Sequence, residues 1–342
     1  MPELPELRGY ASFINENCAG VVFARVSLSS AARHPPIELP WHRFLISAES
    51  RGKELMLRFR ESSSSSTASD DRLVQYSFLM GMSGRWDFVP SSLLVDEETK
   101  LANKLKHAHV LFESADQLYT LCFVDTRRFG RWTPSPEGWS AERGPDPTTE
   151  YDAFEANVLS GLESCSRSFQ RPVCELLLDQ RYFNGVGNYL RAEILYRAGV
   201  TDPFRSAHQV LLECPQILPL CRDVCNEVIE RNLLNDHEAF TDWLQCYGKA
   251  LKRKDSSGRT VWYSNQSSKS VVVKTEQSTN PERKKSTPKK RKGASSSSTS
   301  SASVMPRDYG TRRIAHIKRE TEPEVIAKKR VRRTRSLYNA VG

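Results

Sequence analysis

Three clusters of residue types in this sequence could do chemistry. The first opens the chain, Met1-Pro2-Glu3-Leu4-Pro5-Glu6. Cytosolic processing removes a Met that precedes a small residue, so the mature chain is expected to begin with the secondary amine of Pro2. A generic α-amine of pKa about 7.8 is roughly a quarter neutral near pH 7.4, whereas a lysine at about 10.4 is neutral in about one molecule in a thousand. Pro2 is therefore the better nucleophile, and an amine of this kind attacking a sugar carbon forms an iminium. Glu3, one residue away, can supply and retrieve the protons that such a reaction needs. The second cluster is Arg51-Gly52-Lys53-Glu54, where Lys53 is either an ordinary strand-edge cation or a charge set to favour a phosphate and assist a proton transfer. The third is Gly185-Val186-Gly187-Asn188, two glycines that let a backbone approach a phosphate before a helix whose N-terminal N–H groups are free. Asn188 would add a side-chain donor there. A dinucleotide-binding turn would need a preceding strand and a third glycine, both missing here.

Each cluster needs an element to position it. Leu7, Tyr10, Ala11, Ile14 and Cys18 mark one face of a helix starting near Pro5, which puts Pro2 and Glu3 at a positive helix end. On its own that dipeptide reads first as a plain helix start. Residues 21–28, 53–60, 73–80, 107–113 and 118–125 read as short strands. In 53–60, Leu55, Leu57 and Phe59 face one way and Glu54, Met56, Arg58 and Arg60 the other, the pattern of a half-buried strand. So many short strands predict a sandwich or barrel over the first ~135 residues. His107 and His109 alternate on one of them and read as packing or hydrogen-bonding groups. A Pro/Gly-rich connection, 136–150, leads to a helical period over 151–248. Within it Pro172 is expected to begin a helix running to about Gln180, and Asn188 to cap a second helix ending before Gly199. Residues 249–264 read as a hairpin turning at Asp255-Ser-Ser-Gly258. Cys221 and Cys225 have helical spacing and read as core; no CxxC is present, which excludes the usual four-cysteine zinc finger. The eight scattered cysteines read as reduced thiols.

The charge is divided unevenly. From Asn265 onward there are 20 Lys+Arg and 6 Asp+Glu, against 30 and 35 in the rest, so the body is net −5 and the tail +14. The tail, 265–342, is Ser-rich and poor in apolar residues, and is expected to be disordered. Its stretch 283–292 reads as a nuclear-import and nucleic-acid patch, or as a solvated charge run. No apolar run reaches the roughly 18 residues of a membrane span. The opening residues lack the basic and apolar regions of a secretory signal, so no such signal is expected.

Five motifs in order strengthen the catalytic reading: the Pro2-Glu3 opening, Arg51-Gly52-Lys53-Glu54-Leu55, Gly81-Met82-Ser83-Gly84, Asp125-Thr-Arg-Arg-Phe-Gly-Arg-Trp132, and Leu177-Leu-Asp-Gln180 with Gly185 through Leu195. Together they resemble the formamidopyrimidine-DNA glycosylase/endonuclease VIII family over about residues 1–264. Gly258-Arg259-Thr-Val-Trp-Tyr263, without zinc cysteines, resembles the zincless finger of its animal endonuclease VIII-like branch. The resemblance implies an α+β fold. An N-terminal β-sandwich with flanking helices would cover 1–135, a helix–two-turn–helix domain 151–248 and a zincless hairpin 249–264.

It also implies a bifunctional DNA glycosylase/AP lyase of nuclear base-excision repair, needing no metal or cofactor and cutting by β,δ-elimination. Pro2 would form the Schiff base, Glu3 would be the general acid/base, and Lys53 would work beside the sugar and phosphate. Glu6 would touch the lesion, or serve as an ordinary first-turn acid. Flipping a base out of a duplex leaves a hole, which Met82, Arg127 and Phe129 would fill while Arg128, Asn188 and Arg259 hold phosphates. Lys252, Arg253 and Lys254 would lie near the DNA backbone. Leu4 matches the formamidopyrimidine type, and the short region before Trp243 lacks the glycine-rich, lysine-bearing loop of animal relatives. The expected partner is damaged DNA, as duplex, bubble or single strand, with the tail binding nucleic acid or repair proteins and nothing demanding an oligomer. The competing readings are an 8-oxoguanine-preferring enzyme and a non-catalytic damage-binding protein.

Overall fold

The computed structural model describes residues 2–29, 32, 34–62, 72–94 and 105–265. The Ser-rich connection after Ser62 and the basic tail beyond Asn265 lie outside the described residues.

Helix α1 (Leu4–Cys18) precedes eight antiparallel strands. These are β1 (Phe23–Leu28), β2 (Phe44–Arg51), β3 (Glu54–Glu61), β4 (Leu73–Leu79), β5 (Gly84–Pro90), β6 (Ala108–Ser114), β7 (Tyr119–Asp125) and β8 (Arg131–Pro134). They form one sheet in the order β5-β7-β6-β1-β2-β3-β4-β8. The sheet folds over itself, because rings from strands distant in that order meet. Phe78 of β4 lies 5.5 Å from Phe123 of β7 and 5.0 Å from Trp86 of β5, and Phe59 of β3 lies 5.5 Å from Phe112 of β6. The result is the expected sandwich, filled by aromatic side chains that bury large areas and pack edge to face. Leu7, Ala11, Ile14 and Cys18 of α1 close the same core. β2 pairs with β1 only at Phe23 and Phe44, and α1 covers the edge left beyond that point: the Asn15 side chain donates to the Ala48 carbonyl and accepts from its N–H.

Two expectations about strands need correcting. β3 is not half-buried throughout: Glu54 and Met56 are buried as well as Leu55, Leu57 and Phe59. Arg143 and Ser77 cover the Glu54 carboxylate, so the outer face is solvated only from Arg60 onward. The strands β2, β5 and β8 were not legible in the sequence. The inward set of β2 dwindles from Phe44 and Ile46 to Ala48 and Ser50, which is a weak apolar alternation.

The second lobe is helical: α2 (Tyr151–Glu163), α3 (Val173–Leu176), α4 (Asn188–Arg197), α5 (Ala207–Glu213), α6 (Ile217–Glu230) and α7 (His237–Trp243), then the hairpin β9 (Leu251–Lys254) and β10 (Thr260–Tyr263). The expected helix from Pro172 to Gln180 is a single turn, with Pro172 at the cap. It ends because Leu178 and Asp179 bond three residues back, and Arg171 and Arg181 hold the Asp179 carboxylate at 2.8 and 2.7 Å. Asn188 is the first helical residue of α4, and Gly187 is its cap. Gly199 follows α4 in the left-handed conformation, as its position predicts. Cys221 and Cys225 are fully buried in the core of this lobe, and all eight cysteines are free thiols.

Candidate active site

The start of α1 is driven into the helical lobe. Leu4 belongs to that lobe's core, and its N–H donates to the Gly185 carbonyl at 3.1 Å. Glu3 is the cap of α1 and is 3% exposed. Its carboxylate accepts from the N–H groups of Gly187 (2.8 Å), Tyr189 (3.0 Å) and Leu190 (3.1 Å), and from Glu6 within its own capping box. Free N–H groups at a helix start carry partial positive charge and must find acceptors. Glu3 satisfies those of α4 from the other lobe.

This overturns one expectation. The N–H groups of Gly187, Tyr189 and Leu190 are not free for phosphate; Glu3 holds them. The glycines before α4 therefore serve the approach of Glu3 and Leu4. A Cβ on Gly187 would lie 2.2 Å from the Glu3 Cδ.

Lys53 joins the same pocket. It follows the tight turn at Gly52, is 8% exposed, and its Nζ donates to the Val186 carbonyl at 2.6 Å. The turn is held from three sides. The Gly52 N–H donates to Asp146 at 2.8 Å, the Lys53 N–H to Asn184 at 3.3 Å, and Arg51 to Glu150 at 2.6 Å. Asn184 in turn donates to the Gly144 carbonyl at 2.8 Å, so the connection between the lobes is built into the site wall. Glu6, half-buried, accepts from the Glu3 N–H at 3.2 Å and the Tyr189 hydroxyl at 3.1 Å. Pro2 is buried beside these groups.

Burial sets the protonation of this pocket. Desolvation raises the Glu3 pKa against the pull of Lys53 and the Tyr189 and Leu190 N–H groups. Glu6 is pushed up to about 7 by desolvation and by the Glu3 charge. Desolvation lowers Lys53 to about 8, with Glu3 opposing. Two carboxyls inclined to keep a proton and an amine inclined to lose one make a set suited to proton transfer.

A second group is exposed. Asp125, fully buried at the end of β7, accepts from the Ser83 hydroxyl, from the Gly130 N–H at 2.7 Å and from the Arg127 N–H at 3.2 Å. The His109 ring bonds the Asp125 carbonyl at 2.9 Å, the hydrogen-bonding role expected of it. Gly81 has φ +62°, and a Cβ there would meet the Gly130 nitrogen at 2.6 Å. These contacts lock the turns 81–84 and 126–130 together. The locked pair presents Met82 (37% exposed) and Phe129 (54% exposed), with the Arg127 guanidinium 5.2 Å from the Phe129 ring. Both are large apolar side chains held out into solvent on braced turns. Arg128 is exposed beside them in the left-handed conformation.

The third group is the hairpin. Arg259 is exposed at its turn, and its positive charge acts on Lys53 across the site. Lys252 and Arg253 are exposed too, lying over the Trp262 and Phe204 rings, and Lys254 donates to Thr260. Asn188 is half-exposed at the foot of α4. The sequence reading gave no role to Asp125, Asp146, Asn184, Tyr189 or Arg191. Four of them stand inside or beside motifs already singled out, but their work is visible only in contacts far apart in the chain.

Residues 1–132 match the formamidopyrimidine-DNA glycosylase N-terminal domain, and residues 144–241 match the formamidopyrimidine-DNA glycosylase H2TH domain. With that sandwich, that helical lobe and a Pro-Glu opening between them, the chain belongs to the formamidopyrimidine-DNA glycosylase/endonuclease VIII family, DNA N-glycosylases with AP lyase activity that act in base-excision repair. Among its relatives is endonuclease 8-like 1 of Mus musculus, 38% identical over 77% of this chain and 72% of that protein. The Homo sapiens endonuclease 8-like 1 is 37% identical over the same shares. The fold is shared with the solved Fpg (MutM) protein of Thermus thermophilus, with TM-score 0.58, 24% identity, and 77% of this chain and 97% of that one covered. It is also shared with Lactococcus lactis Fpg in complex with an oxidized-pyrimidine-containing DNA, with TM-score 0.60, 20% identity, and coverage of 77% and 98%.

Proposed function

We propose that the protein excises oxidised pyrimidines and formamidopyrimidines from DNA through a Schiff base on Pro2, then cuts the strand by β,δ-elimination. The observation that carries this reading is the clustering of Pro2, Glu3, Glu6 and Lys53 where the start of α1 meets the foot of α4, with Glu3 anchored there by the N–H groups of Gly187, Tyr189 and Leu190. The Pro2 nitrogen bonds to C1′ of the damaged nucleotide as the base leaves with a proton from the Glu3 carboxyl. Loss of the Pro2 N–H proton and delivery of a proton to O4′ then break the C1′–O4′ bond, opening the sugar to an iminium that makes the C2′ proton acidic. Its removal expels the 3′ phosphate, and a second elimination expels the 5′ phosphate. Lys53, freed from the Val186 carbonyl, would meet a phosphate whose charge restores its own. Met82, Arg127 and Phe129 would enter the duplex where the base has left, and Arg128, Asn188 and Arg259 would hold the backbone.

The lesion class is what the resemblance to the endonuclease VIII-like branch implies, and the hairpin without zinc-ligand cysteines is the feature of this sequence that carries that resemblance. The test is a panel of duplexes carrying thymine glycol, dihydrouracil, a formamidopyrimidine or 8-oxoguanine, with product ends resolved. The proposal expects fast cleavage of the first three, leaving phosphate on both sides of the gap. Faster turnover of 8-oxoguanine would move the protein to the 8-oxoguanine-preferring reading. Tight binding of every lesion without cleavage would make it a damage-binding protein.

A further inference from the structure

Arg191 is the largest fully buried side chain of the described residues, 1% exposed, and the catalytic reading makes no use of it. A buried guanidinium survives only if its donors are satisfied, because desolvating the charge is costly. Here one nitrogen donates to the Cys174 carbonyl at 2.8 Å and to Asp255 at 3.3 Å. The other donates to the Asn188 Oδ1 at 3.1 Å and to the Thr260 carbonyl at 3.0 Å. Arg191 thus touches α3, α4 and both sides of the hairpin at once. Asp255, also 1% exposed in its side chain, passes the restraint on: its Oδ1 accepts from the Arg259 N–H at 2.8 Å and the Ser257 N–H at 3.0 Å.

Two consequences follow from this geometry. Because Asn188 accepts from Arg191 through Oδ1, its amide NH2 is turned the other way and stays available as a donor. Because Asp255 fixes the Arg259 N–H, the base of the Arg259 side chain is fixed at the hairpin turn. One planar fork therefore sets the orientation of an amide on α4 and, through Asp255, the backbone position from which the Arg259 side chain starts, which no lysine or single hydrogen bond could do.

We infer that Arg191 and Asp255 are positioning residues that hold the Asn188 amide and Arg259 as one preassembled phosphate grip. They tie the hairpin down, and among the described residues no group of His, Cys, Asp or Glu is placed to do so through a metal ion. The inference rests on the proposed roles of Asn188 and Arg259 at the DNA backbone. Preassembly matters because each long side chain ordered on binding would otherwise cost affinity.

The test uses the full chain and a duplex carrying a tetrahydrofuran abasic site, which binds without reacting. Affinity is measured against salt for the wild type, Arg259→Ala, Asn188→Ala, Arg191→Lys and the doubly substituted Arg191→Lys/Arg259→Ala. Arg259→Ala should weaken binding about tenfold and reduce the salt slope by about one ion. Arg191→Lys, though buried and unable to reach DNA, should reproduce both changes, and the double substitution should add little to either single one. Asp255→Asn, which keeps the shape and loses the charge, should shift affinity in the same direction and covers the case in which Arg191→Lys fails to fold. A merely structural Arg191 would lower the melting temperature and leave the salt slope alone; that result, or additive effects in the double substitution, overturns the inference. Normal affinity and slope in both Arg259→Ala and Asn188→Ala would overturn it differently, by removing the grip itself.

Discussion

Glu3 accepts N–H bonds from both lobes, and the same carboxyl is the proposed proton donor. Exchanging it for an amide separates those duties. Glu3→Gln keeps one acceptor oxygen, so the fold and DNA affinity should survive within about tenfold, while base excision falls by 10²–10⁴, the usual worth of a general acid. Excision at the wild-type rate would remove Glu3 from the chemistry. The neighbouring shifts predict opposite pH trends. Glu6 holds its proton to about 7 in the fold against 4.5 when unfolded, so its contribution is complete below pH 4.5 and is lost as pH rises through 7. Glu6→Gln, which mimics the protonated acid, should therefore gain melting temperature on the wild type between pH 4.5 and 7.5 and then stay level. Lys53 falls to about 8 from 10.5, so its contribution is present above 10.5 and is lost as pH falls through 8. Lys53→Met should gain on the wild type as pH drops from 10 to 7.5 while losing cleavage activity. A gap that stays constant with pH in either variant would contradict the burial of that group. Pro2, Glu3 and Lys53 were legible as candidates because five motifs in order surround them; the Pro2-Glu3 dipeptide alone reads as a plain helix start. Arg191 and Asp125 were not, since an arginine in a helix and an aspartate at a strand end look ordinary until their distant partners are known.

At the scale of elements, the foot of α4 is where sequence and structure part most instructively. Gly-Val-Gly-Asn before a helix suggested a cradle for phosphate, and the local reading of glycine and N–H groups was sound. The occupant was different: a carboxylate from 184 residues earlier fills the cradle. Local pattern reports that a helix start wants an anion, but not which anion arrives. Gly187→Ala should thus act as a lesion of the catalytic centre. Its Cβ would collide with Glu3, and excision should fall at least tenfold along with the melting temperature. An active, stable Gly187→Ala would refute the packing described. The strands show the same limit. β3 and β7 announced themselves as short runs with large apolar residues, alternating in β3, whereas the inward set of β2 ends in Ala48 and Ser50, and α1 covers its edge.

At the scale of the whole molecule, charge and fold are assigned to different parts. The body is net −5, so on the proposed reading its grip on DNA comes from local features: the exposed side chains at 82 and 129, the arginines beside them and the hairpin. The +14 segment beyond residue 264 would add long-range attraction and nuclear import. Truncation after Asn265 should leave single-turnover cleavage at low salt unchanged, weaken non-specific DNA binding severalfold at physiological salt, and abolish nuclear accumulation of a fluorescent fusion. Loss of low-salt cleavage would show that the basic segment takes part in the chemistry.

The central claim is that Pro2, not a lysine, attacks the sugar. Borohydride reduction during turnover of a dihydrouracil duplex freezes any iminium as a stable amine, and mass spectrometry of the digested adduct locates it. The account predicts one cross-link, on the Pro2 nitrogen of a chain that has lost Met1. A cross-link on Lys53 would contradict the assignment of the nucleophile, and none with either dihydrouracil or an abasic site would contradict the Schiff-base chemistry altogether.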